Sequence, residues 1–275
     1  MTESIHGKYK IEVHENKTLN EFINISLEKS EKNFAYKTLY KTYTPKRTSP
    51  DYRDFRTGPY VFDKIKLNWL IFTEFDNKIQ SEVLVGHGIT CEIYWDETVE
   101  GLPPNGWSGA TIECHKNNSK KIKTNTSIGL LIHISKNYRD KKVSTLIAEE
   151  MKKIAIKKKQ LLIIPLRPSM RYEKKFCTMP FTEFCELRRE DGLPTDLWLR
   201  QHEKIGAKRL KICSTSHQHT VPISSFYKLF GNQKVTKTGF YVVNIHGGWQ
   251  NVYVNLEKDT VVINEGCVWV QHKTI

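Results

Sequence analysis

The chain has 275 residues, 39% of them hydrophobic and 27% charged, which is enough apolar material for a substantial core and excludes wholesale disorder. No apolar run approaches the ~18 residues that cross a bilayer as a helix, and the polar stretch from Met1 to Glu15 carries no signal-peptide hydrophobic segment, so a cytoplasmic protein is expected. The formal charge of +13, from 43 Lys+Arg against 30 Asp+Glu, suits polyanions such as nucleic acid, nucleotide cofactors, acidic carrier proteins or anionic lipid, or a merely solvated lysine-rich surface; charge alone does not choose.

In chain order, the first stretch is polar and helix-leaning. Thr18 is placed to cap a helix with Leu19, Phe22, Ile23 and Leu27 along one side. Pro45, Arg47, Ser49 and Pro50, continuing to Gly58, read as loop. Residues 1–63 are therefore expected to form an N-terminal extension packed on a main domain of residues 64–275. Strand patterns come next, at residues 69–74 and 79–93. Gly101, Pro103, Pro104 and Gly106 give residues 97–107 loop chemistry. A strand at 128–135 leads to a helix with Val143, Ile147, Met151 and Ile154 at helical spacing, thickened by Ala148 and Ala155. A buried strand at 161–166 comes after it. Strand, helix and strand make a crossover of the length expected for parallel neighbours. Residues 197–205 read as a helix closed by Gly206, 208–213 as a strand, and 224–230 as a short helix closed by Gly231. Alternation at 240–245, 251–256, 261–263 and 268–270 reads as further strands. The coarse class is α/β with a mixed sheet.

Six cysteines, Cys91, Cys114, Cys177, Cys185, Cys213 and Cys267, show no CxxC spacing, so reduced thiols are expected. Cys213, His217 and His219 have a spacing compatible with metal binding, but no second ligand cluster completes a site and no metal is expected. The run Ser216–His217–Gln218–His219 has no nucleophile partner identifiable from sequence and reads as loop.

The segment Tyr138–Arg139–Asp140–Lys141–Lys142–Val143–Ser144 joins a strand end to a helix start. The open N–H groups of a first helical turn suit a phosphate, and three cations adjoin them; an ordinary basic cap is the plainer reading. Further on stand Leu102–Pro103–Pro104–Asn105–Gly106–Trp107, Pro165–Leu166–Arg167–Pro168, the segment from Arg188 to His202 (Arg-Arg-Glu-Asp-Gly-Leu-Pro-Thr-Asp-Leu-Trp-Leu-Arg-Gln-His), Tyr241–Val242–Val243 and Val268–Trp269–Val270–Gln271–His272. Together these resemble the GNAT (N-acetyltransferase-like) acyltransferase superfamily, and more closely a bacterial subgroup of it, over residues 65–272. The stretch ending at His202 is the most specific piece.

The resemblance implies a mixed, mostly antiparallel twisted sheet around a central parallel β-α-β unit that binds acyl-CoA. It implies that Ile132, Ile134, Arg139, Asp140, Lys141, Lys142, Val143 and Ser144 hold the donor, acetyl-CoA or another acyl-CoA, with the amine of a small or amino-acid-like molecule as acceptor. His202 stands where the family's helix commonly places a proton-donating tyrosine, and is the first candidate for general acid–base work, against a surface or structural histidine. His133, on the strand before the loop, faces either the thioester or a sheet partner. Arg188, Arg189, Asp191, Asp196 and Arg200 either bind a charged acceptor or form an ion-pair network. Arg167 is a candidate carboxylate or phosphate contact. Trp107 and Trp198 either line the acceptor pocket or pack in the core. The family loop has glycines where this chain has Asp140 and Lys142, so backbone approach to a pyrophosphate is in question. An acyl carrier protein, as in polyketide loading, and tRNA are the alternative partners; a non-catalytic RNA-binding relative is the third reading. A monomer or homodimer without membrane attachment is expected.

Overall fold

The computed structural model describes residues 2–44, 64–139, 141–230, 234–245 and 248–274. The loop expected from Pro45 to Gly58, the donor-site candidate Asp140 and the helix stop Gly231 lie outside the described residues. The chain divides into two units, one of Met1–Leu102, Ala110–Ile164 and Gln271–Ile275, the other of Pro103–Gly109 and Pro165–Val270.

In the first unit, strands β1 (Thr2–His6), β2 (Tyr9–Lys17), β3 (Leu67–Asp76), β4 (Ser81–Ile93), β5 (Thr126–Ile134) and β6 (Leu161–Leu166) lie in that order. Each neighbour pair is antiparallel except β5–β6, which is parallel. The helix-leaning reading of the N-terminus is corrected here, because two strands precede the first helix. The strand period was masked by Glu12 and His14, which alternate with Ile11 and Val13 yet are themselves buried. They are tolerated inside because they are paired. Glu12 Oε2 accepts from the Tyr36 hydroxyl at 2.8 Å and from Lys29, and Glu12 Oε1 lies 3.0 Å from Lys10 Nζ; His14 Nε2 lies 2.6 Å from the same tyrosine oxygen. Burial alone would raise the Glu12 carboxyl, but these donors outweigh it and hold it down to about 2.

Helix α1 (Leu19–Ser30) starts with the capping box that Thr18 and Glu21 encode. It stacks Phe22 on Trp69 of β3 at a ring separation of 4.0 Å. Helix α2 (Phe34–Tyr43) is capped by Asn33; its Tyr43 hydroxyl meets His87 Nε2 of β4 at 2.6 Å. Helix α3 (Gly106–Ser119) was not expected from sequence, since its apolar residues do not gather on one face.

Helix α4 (Val143–Lys157) buries the stripe read from sequence: Val143, Ile147, Ala148, Met151, Ile154 and Ala155. It packs closely because the strands beneath carry glycines. A Cβ on Gly88 would lie 2.7 Å from both Ile147 and Met151, and one on Gly129 would lie 3.4 Å from the Met151 sulfur.

The second unit contains helices α5 (Phe181–Glu186), α6 (Leu197–Lys204) and α7 (Ile223–Phe230), with strands β7 (Ala207–Pro222), β8 (Gly239–Ile245), β9 (Gly248–Asn255) and β10 (Thr260–His272). The strands β10, β9 and β8 form an antiparallel meander, and β7 also pairs with β10. Two expectations are corrected. The strand expected at 208–213 runs on to Pro222, so the Ser216–His219 run is strand and not loop. The pieces at 261–263 and 268–270 are one continuous strand. The architecture is mixed α/β, with mostly antiparallel strands and parallel pairing at β5–β6.

Candidate functional site

The expected site residues fall into one group in each unit. In the first unit they surround the end of β5 and the start of α4. The β5–β6 register covers Thr126–Ile128 against Leu161–Ile163, whereas β5 continues to Ile134. A register shift toward β4, where Ile89 faces Leu131 but Thr90 faces Gly129, inserts Leu130 as an extra residue in β5. Bulges of this kind bend a strand and re-aim the side chains beyond them. The consequence is visible in burial: Thr126–Leu130 are buried, whereas Leu131 and His133 are exposed and Ile132 and Ile134 half-buried. Ile132 and Ile134 pair with Gly88 and Gly86 on the face that α4 covers. His133 pairs with His87, the two rings 5.1 Å apart; it is thus placed beside a buried sheet histidine that holds Tyr43.

The connection from β5 to α4 is a 3₁₀ turn, Lys136–Tyr138, followed by Arg139 in right-handed conformation. Tyr138 is anchored from below: its ring lies 6.5 Å from Tyr9 and its hydroxyl bonds Glu74. Burial first, then Glu74, pushes the Tyr138 hydroxyl up to about 12. The Lys141 ammonium sits 4.7 Å over the Tyr138 ring. Lys142 is the N-cap of α4, with φ 57° and ψ 16°, and its own side chain makes no capping hydrogen bond. That is the left-handed conformation glycine adopts without cost. A lysine therefore holds a backbone shape that a glycine would adopt without strain. Arg139, Lys141 and Lys142 are exposed, Ser144 is half-buried, and the Val143 side chain is fully buried in the core, so Val143 has only backbone to offer a ligand.

In the second unit, Asp196 caps α6. Its Oδ1 accepts from the N–H groups of Trp198 and Leu199, each at 2.9 Å, and its Oδ2 from Met170 N–H at 2.7 Å. At 1% exposure, it anchors the start of α6 and the Met170 turn. Burial pushes its carboxyl upward, opposed by those same N–H donors. Arg188 pairs with Glu203 at 2.9 Å, Arg189 with Asp191 at 3.5 Å, and Arg200 donates to the carbonyls of Pro194 and Thr195. Glu203 also holds Arg209 at 2.7 Å. These charges pair with one another and with the turn around Gly192. Arg167 is held by Glu265 at 2.8 Å and donates to the Tyr172 hydroxyl at 2.6 Å. His202 is buried, with Trp198 edge-on at 4.7 Å.

Trp107 leads to a cluster that sequence reasoning missed. Its N–H donates to Ser216 Oγ at 2.8 Å, and its ring meets the His217 ring at 5.0 Å. His217 Nδ1 lies 2.9 Å from Ser108 Oγ, and His217 Nε2 lies 2.6 Å from His219 Nε2. Burial first, then His219 and Arg167, hold His217 down to about 3, so it is neutral at physiological pH. Beside them, a hydrogen bond from Cys267 lowers the Cys213 thiol to about 6. The legible signal was the i, i+2 spacing of His217 and His219, which puts both on one face of a strand; Ser108, remote in sequence, was not legible. No group of three or more His, Cys, Asp or Glu among the described residues is arranged to hold a metal. None of the described helices is long and apolar enough to cross a membrane.

No protein-family model matches the chain, and no curated protein matches it. Solved structures similar to it include the following two. The loading GNATL domain of CurA from Lyngbya majuscula is 14% identical, with 74% of this chain and 87% of that one covered and a TM-score of 0.41. The GphF GNAT-like decarboxylase in complex with isobutyryl-CoA is 10% identical, with 96% and 100% covered and a TM-score of 0.44.

Proposed function

We propose that this chain is a GNAT-type acyltransferase that takes an acyl group from acyl-CoA, acetyl-CoA in the first instance, to the amine of a small or amino-acid-like acceptor. The observation that carries the reading is the start of α4. There the parallel β5–α4–β6 crossover, paired over a short register, places at the helix start a left-handed N-cap, Lys142, whose side chain makes no capping hydrogen bond and which is flanked by Arg139 and Lys141. A pyrophosphate is recognised by backbone N–H groups at a helix start together with nearby cations, and the left-handed turn is what brings such groups round. The α4 start would hold the diphosphate, with Arg139, Lys141 and Lys142 supplying charge and Val143 and Ser144 supplying backbone. The exposed end of β5, residues 131–134, would supply backbone to the thioester carbonyl and so stabilise charge developing on its oxygen. The acceptor amine must lose a proton and the leaving thiolate gain one; on the resemblance of its segment, this work is assigned to His202.

Isothermal calorimetry against acetyl-CoA and CoA tests the reading. Micromolar binding that Arg139→Glu weakens tenfold or more, about 1.4 kcal/mol, is the expected result. Absence of heat with acetyl-CoA, CoA and longer acyl-CoAs would remove the proposal. Where CoA binds, His202→Asn is expected to lower kcat and leave the calorimetric affinity in place.

A further inference from the structure

Ser108, His217 and His219 form a hydrogen-bonded row inside the second unit, with links of 2.9 Å and 2.6 Å. One choice of tautomers runs the protons along the row in a single direction. When Ser108 donates to His217 Nδ1, His217 carries its own proton on Nε2 and donates it to His219 Nε2, so His219 is protonated on Nδ1. That is a hydroxyl, a base and an orienting group in sequence, the arrangement that turns a serine into a nucleophile. The base has its ring against Trp107. Ser108 lies in the first turn of α3, a helix that runs from Gly106 to Ser119, where the helix dipole favours negative charge on oxygen. The turn is fixed on the β7 side by the Trp107 N–H bond to Ser216. Gly106 is left-handed at φ 49°, and a Cβ there would lie 2.4 Å from Ser216 Oγ and 2.5 Å from Cys267 Sγ. Ser108 is half-buried as a residue.

We propose that Ser108 is an acylatable nucleophile, activated by His217 and oriented through His219, that accepts acyl groups from thioesters or activated esters. Ser108 Oγ attacks the acyl carbonyl carbon and a C–O bond forms. The hydroxyl proton passes to His217 Nδ1. The bond from the acyl carbon to the thiolate or alkoxide breaks, and the departing group takes that proton. Water or an amine then attacks the acyl carbon and gives its proton to His217 Nδ1, the bond from that carbon to Ser108 Oγ breaks, and the serine oxygen takes the proton back; nothing is oxidised or reduced. This reading goes beyond transfer from acyl-CoA and fails separately from it, because an activated ester contains no CoA.

The test uses the full chain with p-nitrophenyl acetate, and in parallel with a fluorophosphonate, mapped by peptide mass spectrometry. A burst of p-nitrophenolate with one acetyl group on Ser108, and a fluorophosphonate adduct on the same residue, are expected. Ser108→Ala should abolish both, and His217→Asn should slow the burst by about 100-fold or more. Ser108→Cys should keep an acyl group at position 108, and circular dichroism of each variant confirms the fold. Cys213→Ser should leave the burst unchanged. Absence of a burst and adduct in the wild-type protein overturns the proposal, as does an acetyl group mapped to Cys213 or a lysine. Because the mapping is made on the wild-type chain, a misfolded variant does not shield the proposal.

Discussion

Helices α4 and α6 begin with opposite chemistry. At the α6 start a buried carboxylate, Asp196, accepts from two first-turn N–H groups and ties in Met170 N–H as well. At the α4 start the capping position is taken by Lys142, a residue with nothing to accept a hydrogen bond, held in a left-handed conformation among exposed cations. Thr18 and Asn33 share the α6 pattern at α1 and α2. The difference separates two uses of a helix end. A side-chain cap completes the hydrogen bonding of the fold and contributes stability. A basic start without one keeps the positive end of the helix for an anion and contributes to binding instead. Both segments carry conspicuous charge in the sequence, but at the α6 start the charge is buried in a cap and at the α4 start it is exposed.

The comparison breaks most readily at Asp196. Asp196→Ala removes a cap and strands Met170 N–H, so a loss of about 2–4 kcal/mol is expected in urea unfolding. Asp196→Asn, which still caps, should lose much less. A change under about 0.5 kcal/mol for the alanine variant would mean that α6 is held by packing alone.

Acid sharpens the same contrast, because buried charge titrates with folding while exposed arginine and lysine stay charged. His14 is held down to about 4 from its ordinary 6.5, by burial first and then by Lys29. A depressed folded pKa contributes stability that is complete above about 6.5 and is lost as pH falls towards 4. Glu12, down to about 2 from 4.5, extends the loss further into acid. On the order of 2–3 kcal/mol of the acid limb belongs to His14. His14→Gln, which can keep the Tyr36 bond, should flatten that share of the pH–stability curve. His217 and His272 shift in the same direction, so the limb should shrink rather than vanish.

The smallest effect is expected at Lys142. Lys142→Gly relieves the left-handed backbone and adds unfolded-state freedom, for a net gain of about 0.5–1 kcal/mol in thermal unfolding. Lys142→Ala, still a residue with a Cβ, should gain nothing. If the glycine variant is instead destabilised, the lysine side chain rather than the backbone shape matters at this position.

How much was legible depends on the physics of each signal. The α4 stripe from Val143 to Ala155, the strand at 161–166 and the Thr18 cap were readable because period and capping are local properties. Strand β2 was not, because Glu12 and His14 look like surface residues until their partners from α1 and α2 are present. Helix α3 was not, because its apolar residues keep to no single face. Among site residues, the basic segment at 139–142 was legible as a charge run at a strand–helix junction. The fate of Arg188, Asp191 and Asp196 was not, since the same charges serve a ligand or one another according to where the chain turns.

The sequence by itself determined the strand–helix–strand order around α4, its parallel crossover and the clustering of cations before Val143. These depend on residues within a few positions of each other. Tertiary structure alone decided that Lys142 takes a left-handed backbone shape, that Asp196 is a cap, and that Ser108 meets His217 from a distant part of the chain. Such outcomes rest on backbone dihedrals and on contacts between remote segments, which no local pattern encodes.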